Sequence, residues 1–321
     1  MKGFEELSKE FMERFNNNHF PDHPSSLYEP ASYFLGMGGK RIRPVMCLMG
    51  NELFDQITPD AWQVSMAIEL FHNFSLIHDD IMDHAPLRRG MPTVHEKYGE
   101  STALLSGDVM LVVAYDYINK IGSSYLHKII HIFNRMAMKV CEGQQMDMNF
   151  EKSEEVSLAD YLEMIELKTS VLMASSLQMG AILGGTGERN SQLIYEFGKN
   201  LGLAFQVQDD YLDAFGDPLK FGKQLGGDIV ANKKTFLFIK TLEFANPGQL
   251  RELKELINSN PPDKVQRVLK IFSACGVDGW AKDLKEEYFF KAMKHFEDIA
   301  VLSSRKEPLL QLARFLLQRD F

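Results

Sequence analysis

Residues 59–83 read PDAWQVSMAIELFHNFSLIHDDIMD, and this stretch decides the fold. Its apolar residues recur at three and four, and they cover much of a helical circumference. Thr58 stands ready as N-cap, and Pro59 falls at the first helical position, where its missing N–H costs nothing. A helix this long that is apolar on most sides belongs at the centre of a bundle. Working outward, the same periodicity fills Ser106 to Ile121, Leu126 to Phe150, Ser157 to Leu183 and Ser191 to Phe215. The breaks gather at Asn16 to Pro30, Pro86 to Thr93, Gly184 to Gly187, Gly216 to Gly227, Asn246 to Gly248 and Asn258 to Pro262. None has the composition of a flexible linker, and no strand alternation or solenoid repeat appears. The expectation is a single all-α domain, a helical bundle spanning 1–321.

Composition narrows the function. Of 321 residues 45% are apolar and 25% charged, which is ordinary for a globular protein large enough to bury its own core. Lys and Arg number 35 against 44 Asp and Glu, a net charge of −9, and no basic run is interleaved with aromatics. A nucleic-acid partner is therefore not expected. Cys47, Cys141 and Cys275 are widely separated and lack a CxxC spacing, so they read as buried small apolar residues in a reducing compartment. The N-terminus MKGFEELSKEF is charged where a signal peptide would be apolar, and no uninterrupted apolar run of membrane-spanning length occurs. A cytoplasmic location without a transmembrane segment is expected.

The chemistry lies where two apolar helices end. Asp79, Asp80 and Asp83 close the first, and Asp209, Asp210 and Asp213 repeat the spacing in GLAFQVQDDYLDAFGD. Acids in the loose pattern [DE][DE]xx[DE] are expected about 0.8 times by chance at this acid content, so one copy alone is a solvated helix face. Both copies, however, use only Asp, terminate apolar runs and precede segments rich in Arg, Lys and Gly. Like charges at i and i+4 repel, so a cation should offset them. Mg²⁺ takes hard oxygen ligands, usually one or two carboxylates completed by substrate phosphates. Two such helix ends facing each other would clamp a diphosphate through several Mg²⁺ ions. Cationic donors for that diphosphate are at hand in Gly38-Gly39-Lys40-Arg41-Ile42-Arg43-Pro44, Arg88-Arg89, Lys168-Thr169, Lys223 and Lys233-Lys234-Thr235.

These residues, with His72, Gln206 and Gly222, stand in the order and spacing of the trans-isoprenyl diphosphate synthases, which the chain resembles from about Tyr33 to Thr235. The resemblance implies an all-α isoprenoid synthase fold with a central apolar cavity, usually homodimeric, and a transferase that condenses an allylic prenyl diphosphate with isopentenyl diphosphate. It implies Asp79, Asp83 and Asp209 as Mg²⁺ ligands, with Asp80 and Asp213 holding bound water and about three ions per site. Arg88, Lys168, Lys223, Lys233 and Gln206 would bind the allylic diphosphate. Gly39, Lys40, Arg43, His72 and Arg89 would bind that of isopentenyl diphosphate. Thr169 and Gln206 would turn oxygens toward the nascent cation. One departure is Asn232, where many members carry a glycine before the last lysine pair.

Product length has a geometric reading. Phe71, Ser75, Asp79 and Asp83 form one helical stripe, with Ser75 about 6 Å and Phe71 about 12 Å below Asp79 and Phe74 on the neighbouring row. The phenylalanines would set a floor for a short-chain product, geranylgeranyl diphosphate (C20) ahead of farnesyl diphosphate (C15). Both could equally be core residues facing another helix. Rival readings are a class I terpene cyclase, a His78-Asp79 metal phosphohydrolase, and a non-catalytic regulatory subunit of a synthase. The second all-Asp motif and Lys40/Arg43 speak against the cyclase, and a regulatory subunit usually has eroded Asp motifs.

Overall fold

The computed structural model describes residues 1–15, 19–153, 155–216 and 226–318. Helices dominate them: α1 Phe4–Phe15, α2 Ser25–Gly36, α3 Ile42–Phe54, α4 Pro59–Met82, α5 Val94–Tyr98, α6 Glu100–Asn119, α7 Ser123–Lys152, α8 Leu158–Ile165, α9 Val171–Leu183 and α10 Glu188–Phe215. There follow α11 Gly227–Val230, α12 Phe236–Phe244, α13 Pro247–Ser259, α14 Lys264–Ala274, α15 Val277–Glu297 and α16 Ser303–Leu317. The one sheet among the described residues is a hairpin of β1 Leu87–Arg88 and β2 Met91–Pro92, with Leu87 opposite Pro92. Arg89 and Gly90 both take positive φ there, 53° and 78°, as a two-residue hairpin loop requires.

The chain divides into two compact units. One comprises Met1–Asn134, Ser175–Ile194 and Ala300–Leu309; the other comprises Arg135–Ala174, Tyr195–Ile299 and Leu310–Phe321. In the first, α4 packs against α3 and α6, and every residue from Val64 to Phe71 is buried, as its all-round apolarity demands. Thr58 accepts a hydrogen bond from the Ala61 N–H and Pro59 occupies the first turn, as expected. In the second, α8 and α10 share a core with α12 to α15, centred on Tyr161, Val207, Phe236 and Phe272.

Three expectations need correction. The break from Asn16 to Pro30 is shorter, because α2 starts at Ser25 and carries Pro30 inside it, forgoing one backbone hydrogen bond. The run from Ser157 to Leu183 is not one helix: a π turn, Glu166–Ser170, separates α8 from α9. None of the three cysteines forms a disulfide, but only Cys47 is buried; Cys141 is exposed and Cys275 half-buried. By length and composition α6 is apolar enough to cross a membrane, yet it carries Glu100, Asp108 and Asp116.

Candidate active site

In the first unit, α4 ends by placing three carboxylates at the wrong pole of its dipole, where negative charge is disfavoured. The fold offsets one of them. The hairpin turns Arg88 back so that its Nε and guanidinium nitrogen grip both oxygens of buried Asp80 at 2.7 to 2.9 Å. Thr93 donates to the Ala85 carbonyl at 2.8 Å and fastens the hairpin to the helix end. Asp79 stays half-buried and Asp83, the C-cap residue, is exposed. Both oxygens of Asp80 are thus taken up by an arginine.

The basic turn sorts its cations. Arg41 adopts a left-handed backbone, φ 50°, and is 4% exposed. Its guanidinium pairs with buried Glu69 and donates to the Leu35 carbonyl at 3.0 Å, and Glu69 also accepts from Asn73 at 2.9 Å. Lys40 is exposed and Arg43 half-buried. Arg43 donates to His72 Nε2 at 3.0 Å. Burial, reinforced by Arg43, Arg88, Arg89 and Arg41, holds the His72 imidazole well below its ordinary pKa, so it is neutral and accepts that bond. Arg89 lies over Gly39, where an added Cβ would come within 2.8 Å of its guanidinium. Glu69 and Asp80 balance two of these four arginines; the cluster as a whole suits a multiply charged anion.

Below the carboxylates lies an aromatic group. Phe71 is 1% exposed, with its ring 5.6 Å from Phe74 and 5.4 Å from Phe133, which is in turn 5.3 Å from Tyr115. Ser75 folds its hydroxyl back onto the His72 carbonyl at 2.9 Å. His78 packs on Phe74 at 4.7 Å, contacts the Leu104 carbonyl on α6 at 3.1 Å and faces Gly107. That ring is committed to the α4–α6 packing, which removes the His78-Asp79 phosphohydrolase reading.

In the second unit, Asp209 and Asp213 are half-buried on α10 and Asp210 is buried. Asp210 accepts from the Tyr161 hydroxyl at 2.5 Å and from Gln206 Nε2 at 2.8 Å. Burial above all, then the neighbouring Asp228 and Asp209, push its carboxyl up to about 8 despite those two bonds. Asp213 is partly spent on structure, since its carboxylate accepts the Asp228 N–H at 3.0 Å and its carbonyl the Gly226 N–H at 2.7 Å. The π turn presents Lys168 and Thr169. Gly143 on α7 makes it possible, because a Cβ there would lie 2.3 Å from the Lys168 backbone nitrogen. Lys168 pairs with Asp147 at 2.7 Å, and Thr169 donates to Gln206 Oε1 at 3.0 Å. These residues, with Asp210 and Lys233, line a cavity of about 170 Å³. Lys234 lines the same cavity and donates to the Phe150 and Ser153 carbonyls. Gly222 and Lys223 lie outside the described residues.

The sequence reading missed Glu69, Asp147, Tyr161 and Asp228. Only Asp147 had a visible signal, a carboxylate in the apolar α7 pattern. Among the described residues no three His, Cys, Asp or Glu side chains converge on one point. Carboxylates spaced in pairs along a helix, as Asp79 with Asp83 and Asp209 with Asp213 are, suit Mg²⁺ whose shell is completed by phosphate oxygens and water.

An all-α chain with two Asp-rich helix ends and an arginine cluster of this kind has the donor set that an enzyme working on diphosphates with divalent metal needs. The polyprenyl synthetase family model matches residues 24–275, and the chain belongs to that family, whose members are metal-using prenyltransferases. It is 36% identical over 298 residues to the short chain isoprenyl diphosphate synthase of Methanothermobacter thermautotrophicus, covering 92% of this chain and 91% of the relative. It is 34% identical to the geranylgeranyl diphosphate synthase of Saccharolobus solfataricus, covering 98% of each. A crystal structure of a geranylgeranyl pyrophosphate synthase superposes with a TM-score of 0.94 at 42% identity over 99% of both chains.

Proposed function

We propose that the whole chain serves one activity, a short-chain trans-prenyltransferase that condenses an allylic diphosphate with isopentenyl diphosphate and makes geranylgeranyl diphosphate. The observation that carries this reading is the arginine cluster around neutral His72, joined through Arg88 to the carboxylates that end α4. Asp79, Asp83 and Asp209 are the Mg²⁺ donors, with Asp80 and Asp213 behind them, and about three ions are expected. When bound, Mg²⁺ acts as a Lewis acid on the leaving diphosphate.

Lys168, Lys233 and Lys223, with Arg88, bind the allylic diphosphate and stabilise the charge that grows on it as the C–O bond breaks. Lys168 exchanges Asp147 for phosphate in that step, and Arg88 shares its charge between Asp80 and the substrate. Gly39, Lys40, Arg43, His72 and Arg89 seat the isopentenyl diphosphate, whose double bond attacks the allylic cation. Thr169 and Gln206, locked to each other, hold oxygen dipoles at that cation. The proton released goes to the departed diphosphate. Ser75 leaves room for the growing tail, while Phe71 and Phe74, backed by Phe133 and Tyr115, exclude water and close the path. The relatives named geranylgeranyl diphosphate synthase support the C20 product.

A second copy of this chain covers the exposed apolar residues of α6, Leu104, Leu105 and Val112, which are 48, 56 and 65% exposed. Replacing Leu105 and Val112 by Glu should give a monomer by light scattering; an unchanged dimer would place the interface elsewhere. Cysteines that form no disulfide fit a cytoplasmic location. The chemistry is tested by incubating the protein with labelled isopentenyl diphosphate, Mg²⁺ and dimethylallyl, geranyl or farnesyl diphosphate and sizing the dephosphorylated alcohols. A C20 alcohol is expected from every primer. A stop at C15 would move the floor upward, and no metal-dependent condensation would overturn the reading.

A further inference from the structure

Lys264 opens α14 and is 2% exposed, an ammonium placed at the helix pole that disfavours positive charge. Burial on this scale is tolerable only when each N–H finds an acceptor. Three do: the Val230 carbonyl at 3.2 Å, Asn232 Oδ1 at 2.6 Å and Asn260 Oδ1 at 3.1 Å. None of the three is a carboxylate. Both asparagines sit in left-handed backbone, φ 56° and 44°. The ammonium therefore gathers the last carbonyl of α11, the turn that follows it and the end of α13 at one point.

That turn carries Lys233. The Lys233 N–H donates to the Asp228 carbonyl at 2.9 Å, and the Asp228 N–H donates to Asp213 at 3.0 Å, so the clamp continues into the second Asp motif. A glycine at 232 would keep the backbone but offer nothing to Lys264. Here Asn232 supplies the shortest of the three bonds, at 2.6 Å.

We propose that Lys264, acting through Asn232, is a positioning residue that fixes the Gly226 to Lys234 segment and so presents Lys233 to the allylic diphosphate. This rests on the reading of Lys233 given above. The test uses full-length Lys264→Met, Asn232→Gly, the double variant and Lys233→Ala, with KM and kcat measured for geranyl and for isopentenyl diphosphate. The expected result is a rise of about tenfold in KM for geranyl diphosphate in Lys264→Met, with KM for isopentenyl diphosphate held within about twofold. Asn232→Gly should show a smaller rise, and the double variant should match Lys264→Met alone. Equal rises in both KM values, or none, would reduce Lys264 to a packing residue and overturn the inference. If Lys264→Met does not fold, Asn232→Gly, whose backbone glycine accepts freely, decides by the same comparison. Lys233→Ala separates the two claims. If it leaves KM for geranyl diphosphate unchanged, the role of Lys233 fails; if it raises KM while the clamp variants do not, only the clamp fails.

Discussion

Glu69→Gln perturbs one charge and almost nothing else. The side chain keeps its shape and its contact with Asn73, but Arg41 loses its counterion where the two partners are only 1% and 4% exposed. Breaking a buried ion pair on one side costs about 3–5 kcal/mol, because the remaining charge is stranded away from water. At about 2 °C per kcal/mol for a chain of this size, the melting temperature should fall by about 6–10 °C. Arg41 also sets the direction of the turn that carries Lys40 and Arg43, so KM for isopentenyl diphosphate should rise with kcat less affected. Denaturant unfolding and calorimetry measure the first effect, and initial rates the second. The double variant Arg41→Met, Glu69→Leu removes both charges and should recover most of the lost stability. A loss below about 1 kcal/mol in Glu69→Gln would show the pair to be worth no more than a surface one, refuting the reasoning.

Gly143→Ala should force the π turn away from α7 at a cost of about 1–3 kcal/mol and lower kcat by up to about a hundredfold, since Lys168 would shift. Unchanged rates would mean that the turn tolerates the displacement. Phe71→Ala should lengthen the product beyond C20 and cost about 3–5 kcal/mol of stability; unchanged products in both Phe71→Ala and Phe74→Ala would remove the floor. His72 has a folded-state pKa well below its unfolded one, so the unfolded chain binds its proton first as pH falls. Its contribution is fully present above about pH 6.5 and is lost progressively below it, so His72→Asn should flatten the stability profile on that acid side. A profile equally steep in the variant would assign the acid lability to other groups.

What the sequence disclosed was local. Thr58 and Pro59 start α4 because capping needs only neighbours, and both Asp motifs could be placed at helix ends from periodicity alone. The π turn was invisible because its cause, the bare backbone of Gly143, lies far away in sequence and the apolar pattern runs through it unbroken. Arg41 could not be told from Lys40 and Arg43 for a similar reason. Three neighbouring cations look alike until Glu69 is brought against one of them. The start of α2 was misread because Pro30 argues for a break, while the helix needs to give up only one bond to contain it.

The pairings divide the charges into two kinds of work. Arg41–Glu69 is almost wholly buried, so it holds position. Asp80–Arg88 and Asp147–Lys168 are only partly covered, at 2% and 27% exposure in the first pair and 19% and 21% in the second. The Asp147–Lys168 pair can open toward an anion without stranding either member, because water replaces what the partner gives up, whereas Arg88 can reach an anion only while it keeps its hold on buried Asp80. Around His72 the positive charges of Arg43, Arg88, Arg89 and Arg41 accumulate, and each acts to hold the imidazole neutral. The chain, at −9 overall, must keep that local excess in place by other contacts, such as Asp80 on Arg88 and Glu69 on Arg41. A monophosphate relieves little of the repulsion, whereas a diphosphate meets several arginines at once.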